Sequence, residues 1–356
     1  MTNEEKIAAL EYRRDKLLSR GFFNYNLAAK VQRKIYQLQK KKEAEKVWIP
    51  VGLFQHFSQE CSLGSHLSRL SPQIDLMNKN IYFFTDIHGH YPLFHAILNW
   101  CNNDVIIYGG DACDRGKDGY KIIKELLKAP NVIYLYGNHE ELFTNAAKAI
   151  LKTYYHNKNI HSCDAEKAKL VLKNMRTDED VALHLMNGGE STLIDWLLDG
   201  APKEIIDKLS ILPRTYSYEN YDFCHAGSTY TTFSYVSTLT EYKGTYDEQA
   251  IIWDRNCIPL GWETGRIGIF GHTPTVFLPR GIYGHDTSLA NIHPCYWQDK
   301  MGGKKKRGGW KLDMDTGAYA TNRAFIFNCN NSTITGFEID ENNQIKIIDQ
   351  YQINFS

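Results

Sequence analysis

Five short segments of this chain are built from residue types that hold cations: Asp86-Ile87-His88, Gly110-Asp111-Ala112-Cys113-Asp114-Arg115-Gly116, Gly137-Asn138-His139-Glu140, His225-Ala226-Gly227 and Gly271-His272-Thr273-Pro274. Together they offer carboxylate, imidazole and amide donors for two adjacent cations, the equipment for hydrolysing a phosphoester with metal-activated water. Asp86 and His88 alternate by two, so an extended backbone aims both to one side and sets an oxygen and a nitrogen on one ion. Asp111 can bridge two ions, Asn138 adds a neutral oxygen, and His225 and His272 complete the set around the second. A hydroxide shared by two ions about 3.5 to 4 Å apart would attack phosphorus in line. Arg115, flanked by glycine, can clamp two phosphate oxygens with its planar fork, and Arg255 is the second clamp. His139 stands beside a ligand and is free to protonate the leaving alkoxide, with Asp114 orienting it.

Taken singly, Asp-x-His, Gly-Asn-His-Glu and Gly-His-Thr-Pro each fit a turn or a packed histidine. The Gly-Asp-x-x-Asp-Arg-Gly segment does not, because two carboxylates and a guanidinium among glycines make little sense as packing. The histidines at 56, 66, 156, 161 and 184 read as surface or packing residues, and His90 and His95 at most support the first motif. Tyr216 to Tyr221 read as core and edge-strand residues.

The elements that position these segments are short apolar runs bounded by glycine or polar residues, as buried strands are. Ile81–Phe84, Val105–Tyr108 and Val132–Tyr136 alternate with helical stretches at Pro92–Cys101 and Gly119–Leu127, the pattern of an α/β sheet. Further strands are expected at Tyr221–Cys224, Ile267–Phe270, Leu312–Met314, Ala324–Phe327, Ile334–Ile339 and Ile345–Ile348, forming a second mixed sheet packed on the first. Every motif falls after an apolar run, at the carboxyl ends of strands where open α/β sheets bind ligands.

Across 356 residues, 41 basic and 41 acidic side chains cancel, which argues against bulk attraction to nucleic acid or an anionic membrane. The eight cysteines form no CxxC pair, and free thiols in a reducing compartment fit best. Residues 1–14 lack an apolar signal core and no run nears the roughly 20 apolar residues of a membrane span, so a cytoplasmic protein is expected. Residues 1–46 read as a helical hairpin with a basic exposed face, either packed on its neighbour or docking a partner, a protein or a nucleic acid. Residues 47–78 read as an irregular connector, and 79–356 as the catalytic domain.

In order and content the five segments resemble the calcineurin-like metallophosphoesterase superfamily, in its bacterial and phage-type serine/threonine phosphoprotein phosphatase branch. Asn187-Gly188-Gly189-Glu190-Ser191-Thr192-Leu193, Leu212-Pro213, Trp253-x-Arg255 and Asp313-Met314-Asp315-Thr316-Gly317-Ala318 are similar to that branch as well. The resemblance implies a β-sandwich of two mixed sheets flanked by helices. It implies one ion on Asp86, His88 and Asp111 and another on Asp111, Asn138, His225 and His272, manganese being expected and iron or zinc the alternatives. Arg115, His139, Asp114 and Arg255 would keep the roles given above. Two stretches are longer than in the small enzymes of that branch. Residues 141–224 are expected to form a helical cap, with helices at Ala146–Tyr155 and Asp164–Met175. Residues 278–310 contain Lys304, Lys305, Lys306 and Arg307 between glycine pairs, a substrate-recruiting flap or a solvated loop. The substrate is expected to be a phosphorylated protein, with a nucleotide such as a diadenosine polyphosphate as the alternative reading and a non-catalytic scaffold as the minor one.

Overall fold

Five of the eleven strands seen among the described residues end at a candidate ligand segment. The computed structural model describes residues 78–154, 162–227, 248–253, 255, 266–278, 292–301, 306–340, 342 and 344–355. The expected hairpin 1–46, residues 47–77 of the connector, His56, His66, His156, His161, Lys304 and Lys305 lie outside the described residues.

The first sheet contains β1 (Ile81–Phe84), β2 (Val105–Tyr108), β3 (Val132–Tyr134), β9 (Arg323–Asn328), β10 (Thr333–Ile339) and β11 (Ile345–Gln352), in the order β11-β10-β9-β1-β2-β3. β1, β2 and β3 run parallel, and β9 joins β1 antiparallel. The second sheet contains β4 (Thr215–Tyr218), β5 (Tyr221–Cys224), β6 (Ile267–Phe270), β7 (Cys295–Met301) and β8 (Lys306–Asp313), in the order β4-β5-β6-β8-β7. β5, β6 and β8 are parallel, and β4 and β7 are antiparallel edges. Both sheets are mixed, as the resemblance implies, but β9, β10 and β11, expected in the second sheet, extend the first because β9 pairs antiparallel with β1.

The period of two divides β1 into two faces. Ile81 and Phe83 join Ile107, Ile133, Phe223, Ile269 and Leu312 in the layer between the sheets, while Tyr82 and Phe84 face the helices. Phe83 and Phe223 stack across the sandwich with ring centroids 5.3 Å apart. The helices that cover the first sheet are α1 (Tyr91–Cys101) and α2 (Gly119–Leu126). α1 starts with Pro92 in its first turn and buries Leu93, Phe94, Ile97 and Cys101 along one stripe.

Five helices lie in or overlap the described part of the stretch 141–224, where a helical cap is expected. They are α3 (Asn138–Tyr154), α4 (Ala165–Asn174), α5 (Glu179–Met186), α6 (Glu190–Leu198) and α7 (Lys203–Ser210). Asp164 caps α4 by accepting from Lys167 N, and Asp178 caps α5 by accepting from Asp180 N and Val181 N. The helix expected from Ala146 starts a full two turns earlier, so Asn138 and His139 belong to its first turn rather than to a preceding loop. The remaining helices are the short α8 (Glu248–Trp253) and α9 (Ala318–Thr321).

The strand expected at Leu312–Met314 begins at Lys306, with Lys306 opposite Met301 and Arg307 opposite Lys300. Half of the glycine-bounded basic segment is thus paired strand backbone and not loop, pairing with β7 outweighing the poor strand preference of Gly308 and Gly309. Among the described residues no helix is long and apolar enough to cross a membrane.

Candidate metal centre

The parallel strands deliver their carboxyl ends to one place. The chain leaves β1 into Asp86 and His88, β2 into Asp111, Asp114 and Arg115, β3 into Asn138 and His139, β5 into His225, and β6 into His272. Asp86, His88, Asp111, Asp114, Arg115 and His272 all have positive φ, between 45° and 70°. Residues other than glycine avoid this region, and its concentration here marks loops held by their surroundings to aim side chains inward. Two glycines make room: a Cβ on Gly137 would collide with Asp111 Oδ1 and Glu140 Oε2, and one on Gly271 with Asp86 Oδ2.

Asp111 is the centre of the arrangement and is 1% exposed. Its Oδ2 lies 3.4 Å from His88 Nε2 and 3.8 Å from His139 Nε2, and its Oδ1 lies 3.2 Å from His225 Nε2. Two groups of donors, His88 with Asp111 and His139, and Asp111 with His225 and His272, can each gather their ligand atoms within 4.8 Å of one another. Asn138 Oδ1 sits 2.9 Å from His225 Nε2 and 2.8 Å from His272 Nδ1. Asp86 Oδ1 approaches His88 Nε2 at 3.9 Å. All six expected ligands therefore meet, and His139 joins the first group as closely as Asp86 does.

The outer nitrogens fix the tautomers. His88 Nδ1–H donates to Cys113 O and His225 Nδ1–H to Gly109 O, each at 2.9 Å, which turns both Nε2 atoms inward. Asp86 Oδ2 accepts from Thr85 Oγ1 at 2.7 Å and from His272 N at 3.1 Å, while its buried Oδ1 has no hydrogen-bond donor. Converging lone pairs and an unserved buried carboxylate oxygen fit divalent cations, which need donors and bring no protons.

The electrostatics agree. Burial opposes charge on His225, yet Asp111 beside it pushes the imidazole up to about 9. Burial and the charge of Asp111 push Asp86 up to about 6, with His225 pulling the other way. The carboxylates at this end of the cluster favour a positive charge beside them. His88 is held well below the usual histidine range, first by burial and then by Arg115 and His139.

Around the donors lie the groups expected to act on phosphate. Arg115 donates from one terminal nitrogen to His88 Nε2 at 2.8 Å and from the other to His139 Nε2 at 3.1 Å. The exposed Tyr319 ring covers Arg115 at 4.9 Å and meets His88 edge-on. Arg255 donates to His272 O at 2.9 Å and to Thr273 Oγ1 at 2.8 Å, which ties it to the His272 loop. His139 Nδ1–H donates to Asp114 Oδ2 at 2.7 Å. His90 and His95 stay apart, engaged with Asn322 and Asn99.

Two residues escaped the sequence reading. His184, read as surface or packing, is fully buried and lies 2.8 Å from Asp114 Oδ1. Its one signal was the adjoining Asn187-Gly188-Gly189 motif. Glu140 accepts from Asp111 N, Ala112 N, Gly137 N and the Tyr134 hydroxyl, all at 2.8–2.9 Å, fastening the loops after β2 and β3 to each other.

Residues 79–274 match the model of a family described as calcineurin-like phosphoesterase. No curated protein matches the chain. Among solved structures, a candidate diadenosine tetraphosphatase is 15% identical, covers 76% of this chain and 94% of its own, and has a TM-score of 0.37. A metallophosphoesterase from Sphaerobacter thermophilus is 14% identical over 78% of this chain and 88% of its own, with a TM-score of 0.36. A protein serine/threonine phosphatase from Saccharomyces cerevisiae is 11% identical over 78% and 80%, with a TM-score of 0.33. None of these likenesses selects a substrate.

Proposed function

Because the chain belongs to the calcineurin-like phosphoesterase family, we propose that it is a metal-dependent phosphoric monoester hydrolase acting on phosphoserine and phosphothreonine in proteins. The observation that carries this reading is the pair of donor groups sharing Asp111 at one set of strand ends. Asp86, His88 and Asp111 would hold one divalent ion, and Asp111, Asn138, His225 and His272 the other, with manganese the expected metal. Bound there, such ions supply positive charge to a phosphoryl group and acidify water.

The chain's own residues do the rest. Arg115 and Arg255 bring two guanidiniums, close enough to repel each other, to the non-bridging oxygens of the phosphoryl group. Asp114 accepts from His139 Nδ1–H; with substrate drawing Arg115 away, Nε2 would take up the second proton of the acid form and pass it to the departing serine or threonine oxygen. The oxygen of a water molecule bonds to phosphorus as the P–O bond to the side chain breaks, the side-chain oxygen takes the His139 proton, and free hydroxyl and inorganic phosphate leave.

Phosphate release from a phosphoserine peptide, set against hydrolysis of diadenosine tetraphosphate with manganese present, tests the substrate. A preference of about a hundredfold for the dinucleotide would replace the protein substrate with a nucleotide. His139→Ala should lower turnover by about 10²- to 10⁴-fold with metal content unchanged. Loss of an ion in that variant would move His139 from acid to ligand.

A further inference from the structure

His184 does more than fill space beside the acid pair: we propose that it is a positioning residue for His139, acting through Asp114. The inference rests on the hydrolase reading above and deepens it. Asp114 is fully buried, and both of its oxygens are occupied. Oδ1 accepts from the Thr192 hydroxyl at 2.8 Å and from His184 Nε2–H at 2.8 Å; Oδ2 accepts from His139 at 2.7 Å and from the same His184 nitrogen at 2.9 Å. A carboxylate only accepts, so His184 Nε2 holds the proton and spans both oxygens. His184 Nδ1 is buried with no partner, so the ring makes its hydrogen bonds through Nε2 alone and orients the carboxylate toward His139.

The seat of this ring is built for it. Phe143 packs 5.8 Å away, and a Cβ on Gly189 would overlap the imidazole. Gly189 has φ −83°, so glycine is needed there for room and not for conformation. The same segment straps down the left-handed loop at Asp114 and Arg115. Arg115 N donates to Gly188 O at 3.0 Å, the Ser191 hydroxyl to Gly116 O at 2.9 Å, and Asp114 N to Thr192 Oγ1 at 3.1 Å. One turn of the cap thus sets the acid and the clamp together.

A positioning role separates from a packing role by leaving group. A general acid matters for a poor leaving group, such as a serine alkoxide, and little for p-nitrophenolate. His184→Phe keeps the ring and removes the donor. It should lower kcat on a phosphoserine peptide by about 10- to 100-fold, the usual cost of removing a partner that orients an active-site group, and lower it far less on p-nitrophenyl phosphate. His184→Gln, which keeps a side-chain N–H, should recover most of the loss. Gly189→Ala, which displaces the ring, should reproduce the Phe pattern. Equal losses on both substrates, or none on the peptide, would overturn the proposal. Imidazole ¹⁵N NMR of the metal-free protein gives a test independent of turnover. His184 should carry a proton on Nε2, and the His139 Nδ1–H resonance should survive in His184→Gln and broaden in His184→Phe. A His184 with no proton on Nε2, or an unaltered His139 resonance in His184→Phe, refutes it. A wild-type chain that hydrolyses neither substrate would instead refute the hydrolase reading, with the NMR outcome standing on its own.

Discussion

From the first sheet the centre takes Asp86, His88, Asp111, Asn138 and His139, offered by three adjacent parallel strands whose loops carry five left-handed non-glycine residues. From the second sheet it takes two imidazoles, His225 and His272, of which only His272 has positive φ. The first contribution is fixed locally. Short loops, Gly137, and Glu140 bonded to three backbone amides hold most of it in place within the first sheet. The second contribution arrives through the sandwich, by way of Phe83 on Phe223 and the layer around them. One half of the centre is thus made by backbone strain near the ligands and the other by side-chain packing farther off.

The largest effect should come from the residue common to both halves. Asp111→Asn is expected to lower turnover by at least about 10³-fold, matching the several kcal/mol a catalytic metal supplies, and to strip both ions. His272→Ala should strip one. Metal analysis of the two purified variants checks this, and equal losses would erase the distinction between the halves.

A smaller effect is expected from the joint between the sheets. Phe223→Ala should cost about 3 to 5 kcal/mol in denaturant unfolding, since the ring is wholly buried. Its catalytic deficit should trace to the ion held by His225 and His272. A variant that loses the Asp86 side first would show that packing, not loop strain, sets both halves.

The smallest effect concerns the second sheet's buried acids. Asp313 and Asp315 each have an oxygen, Oδ2, without a hydrogen bond, and burial together with each other's charge or that of Asp86 pushes both well above the usual carboxylate range. A raised folded value means that Asp313 favours the fold below its ordinary range and loses that advantage as pH climbs. Asp313→Asn in metal-free protein should then leave Tm almost unchanged near about pH 4 and raise it by a few degrees near about pH 8. A gain confined to acid would reverse the sign of this argument.

Much of this was legible in the residues. β1, β2, β5 and β6 matched their apolar runs to the residue, because glycine or polar groups bound them tightly. The ligand segments were readable because metal chemistry restricts residue type as well as spacing. β4 lies where Tyr216 to Tyr221 were read as core and edge-strand residues, whereas β7 was missed, since a strand half open to solvent has no continuous apolar run. His184 was missed because 70 residues separate it from Asp114, and no local period reports a hydrogen bond made across the fold. The start of α3 was misplaced because a helix whose first turn is filled with site residues carries no apolar stripe there.

α3 begins at Asn138 and runs unbroken to Tyr154, lying against α5 and α7 on the way. At 1.5 Å per residue its 17 residues form a rod about 25 Å long, so a tilt of about 2° pivoting at its far end swings Asn138 and His139 by about 0.9 Å. One continuous helix joins the outer helices to the ligand segment, so any repacking that tilted α3 would displace Asn138 and His139 together.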